Sequence, residues 1–343
     1  MIGLDLIKYP HSGMGKVALD YSKELLAIND FHFGYLLSGN QRPDHLRDQS
    51  VEYLSWGRKY NSGYMKAYDL CHIIHQLPKY DYRNARKMVF TIHDLNFRYT
   101  KKAGKQEKYR KQVQRGVDKA DAVCFISEFV RRDCMDHLDI PANKLTEVIY
   151  NGVGHAEPAC AKPDWCPESG YLFSIGQFLE KKNFHVLLPF LALLSDFRLV
   201  IAGENATQYG TFLRNQIKKY GLQDRVILPG AVTEAQKTYL YEHCDAFVFP
   251  SIAEGFGLPL IEAMKCSKPV FCSDRTGLKE IGGAYAFFWE DFDPHEMKKC
   301  FLKGMTLFAN SSVLKHQAKL YADSFTWKKN VGSYLKIYHH LLS

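Results

Sequence analysis

The chain alternates short apolar runs with longer segments in which apolar residues recur every three or four positions. In the first half, apolar runs predict strands at residues 2–7, 31–37, 87–94, 122–127 and 145–152. In the second half, they predict strands at residues 170–176, 197–203, 225–230, 246–251 and 268–274. Such runs are typical of strands that are buried on both faces, as in parallel sheets.

Segments with helical periodicity lie between the strands. They predict helices near residues 15–27, 105–119, 128–138, 183–194, 209–220, 234–243 and 258–265. Strands that alternate with helices indicate an α/β protein. Residues 154–170 contain three prolines and no clear period, which is typical of a linker. We therefore predict two doubly wound, Rossmann-like domains that face a cleft, where ligands bind beyond the carboxyl ends of the strands.

Composition narrows the class of protein. The length of 343 residues favours two domains, and apolar (46%) and charged (24%) fractions are those of a soluble globular enzyme. The nine cysteines form no CxxC pair, which indicates a reducing cytoplasm rather than a disulfide framework. We expect no secretory signal, because no charged region precedes the first apolar run. The longest apolar stretch, residues 186–194, is shorter than the roughly 20 residues of a membrane span.

The formal net charge of +8 suits an anionic ligand or an anionic surface. It does not by itself indicate nucleic acid, and we expect no nucleic-acid partner.

The segment "PSIAEGFGLPLIEAM" (250–264) places Glu254 and Glu262 on either side of a glycine-rich loop. The loop follows a predicted strand, and Pro259 suits the first turn of a helix. Glycines leave the N–H groups of the helix start open to an anion such as a diphosphate. Carboxylates accept hydrogen bonds from vicinal hydroxyls. The segment therefore favours a nucleotide sugar, although a tight turn with two solvated glutamates would share the spacing.

This segment resembles the nucleotide-sugar motif of the retaining glycosyltransferases of family 4, which have the GT-B fold. Other blocks of that family follow in the expected order: "SGMGKVALDYSKEL" (12–25), "TIHDL" (91–95), "FISEFVRRDC" (125–134), "VIYNGV" (148–153), "SIGQFLEKKNFHVLL" (174–188) and "SFTWKKNVGSYLKIYHHLL" (324–342). The resemblance implies an acceptor-side domain at 1–155, a donor-binding domain at 170–325 and a last helix, 326–343, that crosses back to the first domain.

The resemblance also implies roles for the motif. Glu254 would contact the hydroxyls of the donor sugar, and Glu262 would contact the ribose. Lys182 matches the phosphate-binding lysine of the family, where a cation would stabilise the leaving group. Backbone N–H groups that would hold the sugar and the diphosphate belong to Phe256, Gly257 and Leu258.

One position departs from the family pattern. Many relatives carry an arginine just after the glycine that follows the strand, whereas this chain has Gln177. Lys181 either compensates for the missing cation or is a solvated surface lysine. Gln177 and Lys181 are therefore both candidates for donor binding.

Two motifs in the first domain are also candidates. Gly13, Gly15 and Ala18 match a dinucleotide fingerprint, but no acidic residue ends the second predicted strand. The resemblance instead places Gly15 near the donor phosphates. It suggests that His93, at a strand end, lies near the donor sugar and the reaction centre. A structural hydrogen bond is the alternative role for this histidine.

We expect no metal and no other cofactor. The sequence "DFD" (291–293) is similar to the metal-binding motif of another glycosyltransferase fold, but we interpret it as a turn and a helix start. No histidine or cysteine cluster in the sequence offers the geometry of a metal site.

Residues 98–119 contain nine basic and two acidic residues. Tyr109, Val113 and Val117 recur every four positions, which predicts an amphipathic helix with a basic face. This face is either an ordinary solvated surface or a docking site for an anionic membrane. We therefore expect a cytoplasmic protein, with peripheral attachment to the inner face of the cytoplasmic membrane as a hypothesis.

The resemblance thus implies a retaining hexosyltransferase of bacterial surface polysaccharide assembly. The combination of "HDL" and "EGFGLPLIEAM" resembles bacterial mannosyl and polysaccharide transferases, so GDP-mannose is the first donor to test, with a glycan or lipid-linked acceptor. A GT-B epimerase or phosphorylase would share these motifs but would need no sugar acceptor. A non-catalytic nucleotide-sugar-binding subunit would bind the donor without turnover.

Overall fold

The computed structural model describes residues 1–4, 13–28, 30–38, 42–54, 67–78, 85–154 and 160–343. The chain divides into two compact units. The first unit contains residues 1–154 and 325–343, and the second contains residues 155–324. The last segment of the chain therefore belongs to the same unit as the first.

The first unit contains a parallel sheet of seven strands in the order β3-β2-β1-β4-β5-β6-β7. The strands are β1 (Ile2–Gly3), β2 (Gly34–Leu37), β3 (Ser50–Tyr53), β4 (Tyr68–Ile73), β5 (Ala85–Ile92), β6 (Ala122–Phe125) and β7 (Leu145–Val148). The helices before the linker are α1 (Gly13–Leu25), α2 (Phe97–Thr100), α3 (Ala103–Lys119) and α4 (Glu128–His137). The strand order reverses between β1 and β4, which is the arrangement of a doubly wound sheet.

The second unit contains a parallel sheet of six strands in the order β10-β9-β8-β11-β12-β13. The strands are β8 (Tyr171–Ile175), β9 (Arg198–Ala202), β10 (Val226–Gly230), β11 (Ala246–Phe249), β12 (Val270–Ser273) and β13 (Ala286–Trp289). The helices are α5 (Leu187–Ala192), α6 (Gln208–Lys219), α7 (Glu234–His243), α8 (Leu258–Lys265), α9 (Gly277–Gly282), α10 (Pro294–Asn310) and α11 (Ser312–Asp323). This sheet repeats the doubly wound order, with its reversal between β8 and β11.

A final helix, α12 (Trp327–Leu342), is fixed to the first unit by a buried polar network. The hydroxyl of Tyr338 lies 2.7 Å from the hydroxyl of Tyr21 and 2.6 Å from Nδ1 of His72. Nε2 of His72 lies 2.8 Å from Oγ1 of Thr91, which lies 3.0 Å from the hydroxyl of Tyr334. Each polar group of this network thus has a partner, as burial requires.

The predicted α/β class and its two doubly wound sheets are confirmed, and every predicted strand is present in whole or in part. Strand β1 is seen at residues 2–3, and residues 5–7 of that prediction lie outside the described residues. The predicted helix at 183–194 was too long: a 3₁₀ turn at Phe184–Val186 precedes the six-residue α5. Pro189 lacks an N–H group and is tolerated only in a first helical turn, which limits the helix to a start near this residue.

The sequence analysis missed strands β3, β4 and β13 and helices α9 and α11, and it predicted only the start of α10. Strand β4 contains Asp69 and His72, which interrupt its apolar pattern. His72 is nevertheless fully buried, because the C-terminal helix supplies its hydrogen-bond partner. A local hydropathy pattern does not show such a distant partner.

Candidate active site

The topology of the second sheet joins two loops that are distant in sequence. Strands β8 and β11 are neighbours at the point where the strand order reverses, and the loops that follow them begin at the same edge of the sheet. This position is where open α/β sheets bind ligands. The loop after β11 is tied to the loop after β8, since the N–H of Ile252 donates to the carbonyl of Lys181 at 2.8 Å.

The joined loops form an ion pair between two predicted site residues. Nζ of Lys182 lies 2.6 Å from Oε1 of Glu254, and Oγ of Ser251 lies 2.7 Å from the same carboxylate oxygen. Nζ of Lys181 lies 3.8 Å from Oε2 of Glu254. The Lys182 ammonium also lies 4.8 Å from the centre of the Phe249 ring, within the range of a cation–π contact. The side chains of Lys182 and Glu254 are only 12% and 14% exposed.

Glu254 is ionised in this environment. Burial raises the pKa of its carboxyl, but the ammonium groups of Lys182 and Lys181 and the hydrogen bonds of Lys182 and Ser251 outweigh burial and lower the pKa to about 2. Lys181 is therefore part of the cluster rather than a solvated surface lysine: its side chain is 18% exposed, and Nζ also donates to the carbonyl of Ala253 at 3.2 Å. Two cations thus surround one carboxylate.

The loop that carries Glu254 leads directly into helix α8. Gly257 is the residue before the helix and has φ 105°, a backbone conformation that favours glycine. A Cβ at this position would lie 2.6 Å from Cδ2 of Leu278, so a side chain there would require Leu278 to shift. Phe256 and Gly257 are buried, and Leu258 is the first residue of the helix. The first turn of a helix presents N–H groups that no intrahelical carbonyl accepts.

Glu262 lies within helix α8 and is held by two side chains that the sequence analysis missed. Nζ of Lys237 lies 3.0 Å from Oε1 of Glu262, and the hydroxyl of Tyr241 donates to Oε2 at 2.8 Å. Nζ of Lys237 also lies 3.0 Å from Glu234. Burial lowers the pKa of Lys237, but the two carboxylates outweigh it and hold the pKa above its ordinary value. Lys237 and Tyr241 share a face of α7 because they are four residues apart.

In the first unit, His93 follows strand β5 and is 6% exposed. Its Nε2 lies 2.7 Å from the carbonyl oxygen of Ile74. Because a carbonyl only accepts hydrogen bonds, the proton is on Nε2, and Nδ1 keeps its lone pair. Burial lowers the pKa of His93 to about 4, against the smaller opposing effect of the Ile74 carbonyl. His93 is therefore neutral at pH 7, and its free ring nitrogen is a hydrogen-bond acceptor.

The remaining candidates, Gly15 and Gln177, lie at the start of a helix and just after a strand. Gly15 is buried in the first turn of α1 in the first unit, and the loop that precedes this helix lies outside the described residues. Gln177 is exposed just after β8, in the same loop as Lys181 and Lys182. The structure thus places Lys181, Lys182 and Glu254 in one cluster, with Gln177 on the adjoining segment and Glu262 on the helix that follows.

The interpretation of "DFD" as a turn and helix start agrees with the structure. Oδ1 of Asp293 accepts from the N–H groups of His295 and Glu296 at the start of α10. Asp291 accepts from the N–H of Asp293 at 3.0 Å.

The structure brings together one group of possible metal ligands that the sequence did not show. Cys160, Glu242 and His243 bring three ligand-type atoms within 4.8 Å of one another, and all three residues are exposed. Sequence spacing did not reveal this cluster, because Cys160 comes from the linker and the other two residues come from α7. Three exposed ligands are fewer than the four of a structural zinc site.

The predicted basic helix is two helices, α2 and α3. Val113 and Val117 face the core of the unit, whereas most of the basic residues are exposed. Arg98 is an exception, since it forms an ion pair with the buried Asp133. Among the helices of the described residues, none combines the length and the apolar character that crossing a membrane requires.

Family models identify the class of protein, a GT-B glycosyltransferase, and the two doubly wound sheets agree with it. Residues 161–305 match the family model of glycosyl transferases group 1, and residues 38–157 match that of glycosyltransferase family 4. The two matches together span most of the chain, and this chain belongs to the family 4 type of glycosyltransferases. The predicted family and enzyme class are confirmed.

Individual relatives are similar over different lengths. The O-antigen chain mannosyltransferase B of Escherichia coli is 23% identical, with 94% of each chain covered. The serotype-specific mannosyltransferase WbdA of the same species is 27% identical over 70% of this chain, and the match covers 32% of WbdA.

Two solved structures share the fold. The sucrose-phosphate synthase of Thermosynechococcus elongatus has a TM-score of 0.78 at 16% identity, with 99% of this chain and 98% of that chain covered. Anabaena HepE in complex with UDP-glucose has a TM-score of 0.75 at 17% identity, with 98% of each chain covered.

Proposed function

We propose that this enzyme transfers a hexose, with retention of configuration, from a nucleoside diphosphate sugar to a glycan or lipid-linked acceptor in the assembly of a bacterial surface polysaccharide. The observation that carries the proposal is the cluster of Glu254, Lys181 and Lys182 beside the start of α8. It combines a carboxylate that can accept from sugar hydroxyls, two cations for a diphosphate, and the N–H groups of a helix start.

Each group has a distinct role in the proposal. Glu254 accepts hydrogen bonds from the donor sugar, and Glu262 accepts from the ribose. Lys182 stabilises the negative charge that develops on the leaving diphosphate, together with the backbone N–H groups of residues 256–258. Lys181 supplies the second cation in a loop where Gln177 brings none. Gly15 is proposed to approach the phosphates from the start of α1.

His93 is proposed to contact the donor sugar as an acceptor. Its Nε2–H donates to the Ile74 carbonyl, so Nδ1 can accept a hydrogen bond from a sugar hydroxyl. A neutral histidine with a pKa of about 4 suits this role better than that of a general acid at pH 7. Replacing His93 by asparagine should therefore raise the donor KM without introducing a new pH dependence near neutrality.

GDP-mannose is the proposed donor, supported by the mannosyltransferase names of the E. coli relatives. The test is a thermal-shift screen with GDP-mannose, UDP-glucose, UDP-N-acetylglucosamine and the free nucleoside diphosphates, followed by a transfer assay with the donor that binds. A ligand at 100 times its Kd stabilises the folded state by about 2.7 kcal/mol, which a melting curve detects. Binding of a UDP-sugar alone would overturn the choice of donor, and no shift with any nucleotide sugar would overturn the function.

We further propose that the exposed basic face of α3 holds the enzyme against an anionic membrane, where a lipid-linked acceptor is located. The cations near such a surface contribute about 1 kcal/mol each. Vesicles that contain phosphatidylserine should capture the protein at low salt and release it near 0.5 M salt, where the screening length is about 4 Å.

The matched variants locate the effect on this helix. The triple variant Lys105→Glu, Lys108→Glu, Lys111→Glu should no longer bind the vesicles, and its donor binding should be unchanged. Three exposed lysines of the second unit provide a control with the same change in charge: Lys218, Lys219 and Lys303. Wild-type protein that stays in the supernatant at low salt, or equal losses in both triple variants, would contradict membrane docking by α3.

A further inference from the structure

Thr276 has a backbone conformation that threonine rarely adopts. It precedes α9 with φ 53° and ψ −136°. Gly283, at the other end of the same helix, has φ 53° and ψ −137°. The chain thus uses glycine at one of two positions with the same dihedral angles and a β-branched residue at the other. Of the described non-glycine residues with positive φ, which are Asn183, Ser267 and Thr276, only Thr276 is β-branched. Such strain persists only where the surroundings hold the residue in place.

Thr276 and the residue after it are hydrogen-bonded to the backbone of Glu254. Oγ1 of Thr276 accepts a hydrogen bond from the N–H of Glu254 at 3.0 Å. The N–H of Gly277 donates to the carbonyl of Glu254, also at 3.0 Å. A Cβ at Gly277 would lie 2.6 Å from the carbonyl oxygen of Gly255, so the two segments touch. Both backbone polar groups of Glu254 are therefore held by two consecutive residues.

A glycine at position 276 would relieve the backbone strain but would offer no acceptor for the N–H of Glu254. We propose that Thr276 is a positioning residue for Glu254, and that its strained backbone is retained because its hydroxyl fixes the loop that carries the carboxylate. The inference rests on the proposed function to the extent that Glu254 contacts the donor sugar. The hydroxyl acts on the backbone of Glu254, whereas Lys182 and Ser251 act on its carboxylate.

Three variants separate the hydroxyl from the strain. Thr276→Ser keeps the hydroxyl, Thr276→Ala removes it and keeps Cβ, and Thr276→Gly removes both. We expect kcat within about twofold of wild type for the serine variant and about tenfold lower for the other two, with the donor KM changed less than about threefold. The melting temperature should follow a different order, with the glycine variant about 3–6 °C above the alanine variant.

Gly283→Ala is the matched control for strain. A Cβ at this position would make ordinary contacts, the nearest at 3.4 Å from the Tyr321 hydroxyl, so the variant reports the backbone strain without contact with Glu254. It should lower the melting temperature by a few degrees and leave kcat unchanged. Activity that instead follows stability, with Thr276→Gly as active as wild type, would overturn the positioning role.

Hydrogen exchange of residues 251–257 tests the inference without a substrate. The amide of Glu254 should exchange at least about tenfold faster in the alanine and glycine variants and at the wild-type rate in Thr276→Ser. Unchanged exchange in all variants would overturn the proposal. Faster exchange, in an enzyme that turns over none of the nucleotide sugars tested, would instead show that Thr276 positions Glu254 and that the proposed function is wrong.

Discussion

Replacing Glu254 by glutamine removes the charge of the carboxylate and keeps the size of the side chain. The pKa of Glu254 falls from an ordinary value of 4.5 to about 2, which corresponds to roughly 3 kcal/mol of preference for the ionised form. Glu254→Gln should lower the free energy of unfolding of the second unit by about this amount at pH 7. Since 1 kcal/mol shifts the melting temperature of a domain of this size by about 2–4 °C, the expected drop is about 6–12 °C.

Calorimetry at several pH values measures this effect. A carboxyl with a lowered folded-state pKa stabilises the protein above its unfolded pKa, and the contribution is lost as the pH falls towards the folded pKa. The difference between wild type and variant should therefore be constant above about pH 5.5 and shrink below pH 4.5. The exposed Glu290 provides the control, because Glu290→Gln should change stability by less than about 0.5 kcal/mol.

Glu254→Gln should lower turnover but strengthen the binding of the free nucleoside diphosphate. Turnover should fall by about 100-fold or more, since the charged acceptor for the sugar is lost. The free nucleoside diphosphate should bind a few times more tightly, because Lys182 is no longer paired with a carboxylate. Isothermal titration and a transfer assay measure the two quantities. A variant with wild-type stability and wild-type turnover would refute the assignment of the ion pair to the site.

Three further predictions concern other groups. Lys237→Met and Tyr241→Phe should each raise the donor KM about tenfold with little change in kcat, because each removes a group that orients Glu262. A donor titration that shows only a kcat defect would contradict the proposed contact between Glu262 and the ribose. His72 and His93 have folded pKa values of about 3 and 4, below the ordinary 6.5, so their contribution to stability is present above pH 6.5 and is lost as the pH falls. Urea denaturation between pH 7 and pH 5 should show that the free energy of unfolding falls by up to about 1.4 kcal/mol per pH unit per histidine. A flat profile would show that the two histidines are not buried in the neutral form. Activity in excess chelator should stay within about twofold of the untreated enzyme, whereas complete loss that Mn²⁺ or Mg²⁺ restores would show a catalytic metal.

Much of the second unit was predictable from local sequence. The predicted helix at 258–265 has the observed bounds, because Gly257 and Pro259 mark its start within two residues of each other. The strand before the loop and the role of Asp293 at the start of a helix are also local. These features depend on backbone conformations and on contacts a few residues away, which a sequence shows directly.

The partners of the site residues were not predictable. Glu254 and Lys182 are 72 residues apart, and Lys237 is 25 residues from Glu262. Lys237, Tyr241 and Thr276 are ordinary residues in their local segments, and no periodicity distinguishes them. Their function becomes evident only from the groups that they contact.

The sequence by itself determined the α/β class, the glycine loop and the position of its two glutamates, since hydrophobic period, glycine and proline act on the nearest turns of the chain. The tertiary structure decided which charges surround those glutamates. Parallel strands with crossover helices bring neighbours together from distant segments, so that β8 and β11 join Lys182 to Glu254. The electrostatics of the site follow from this pairing and from burial, both of which exist only in the folded chain.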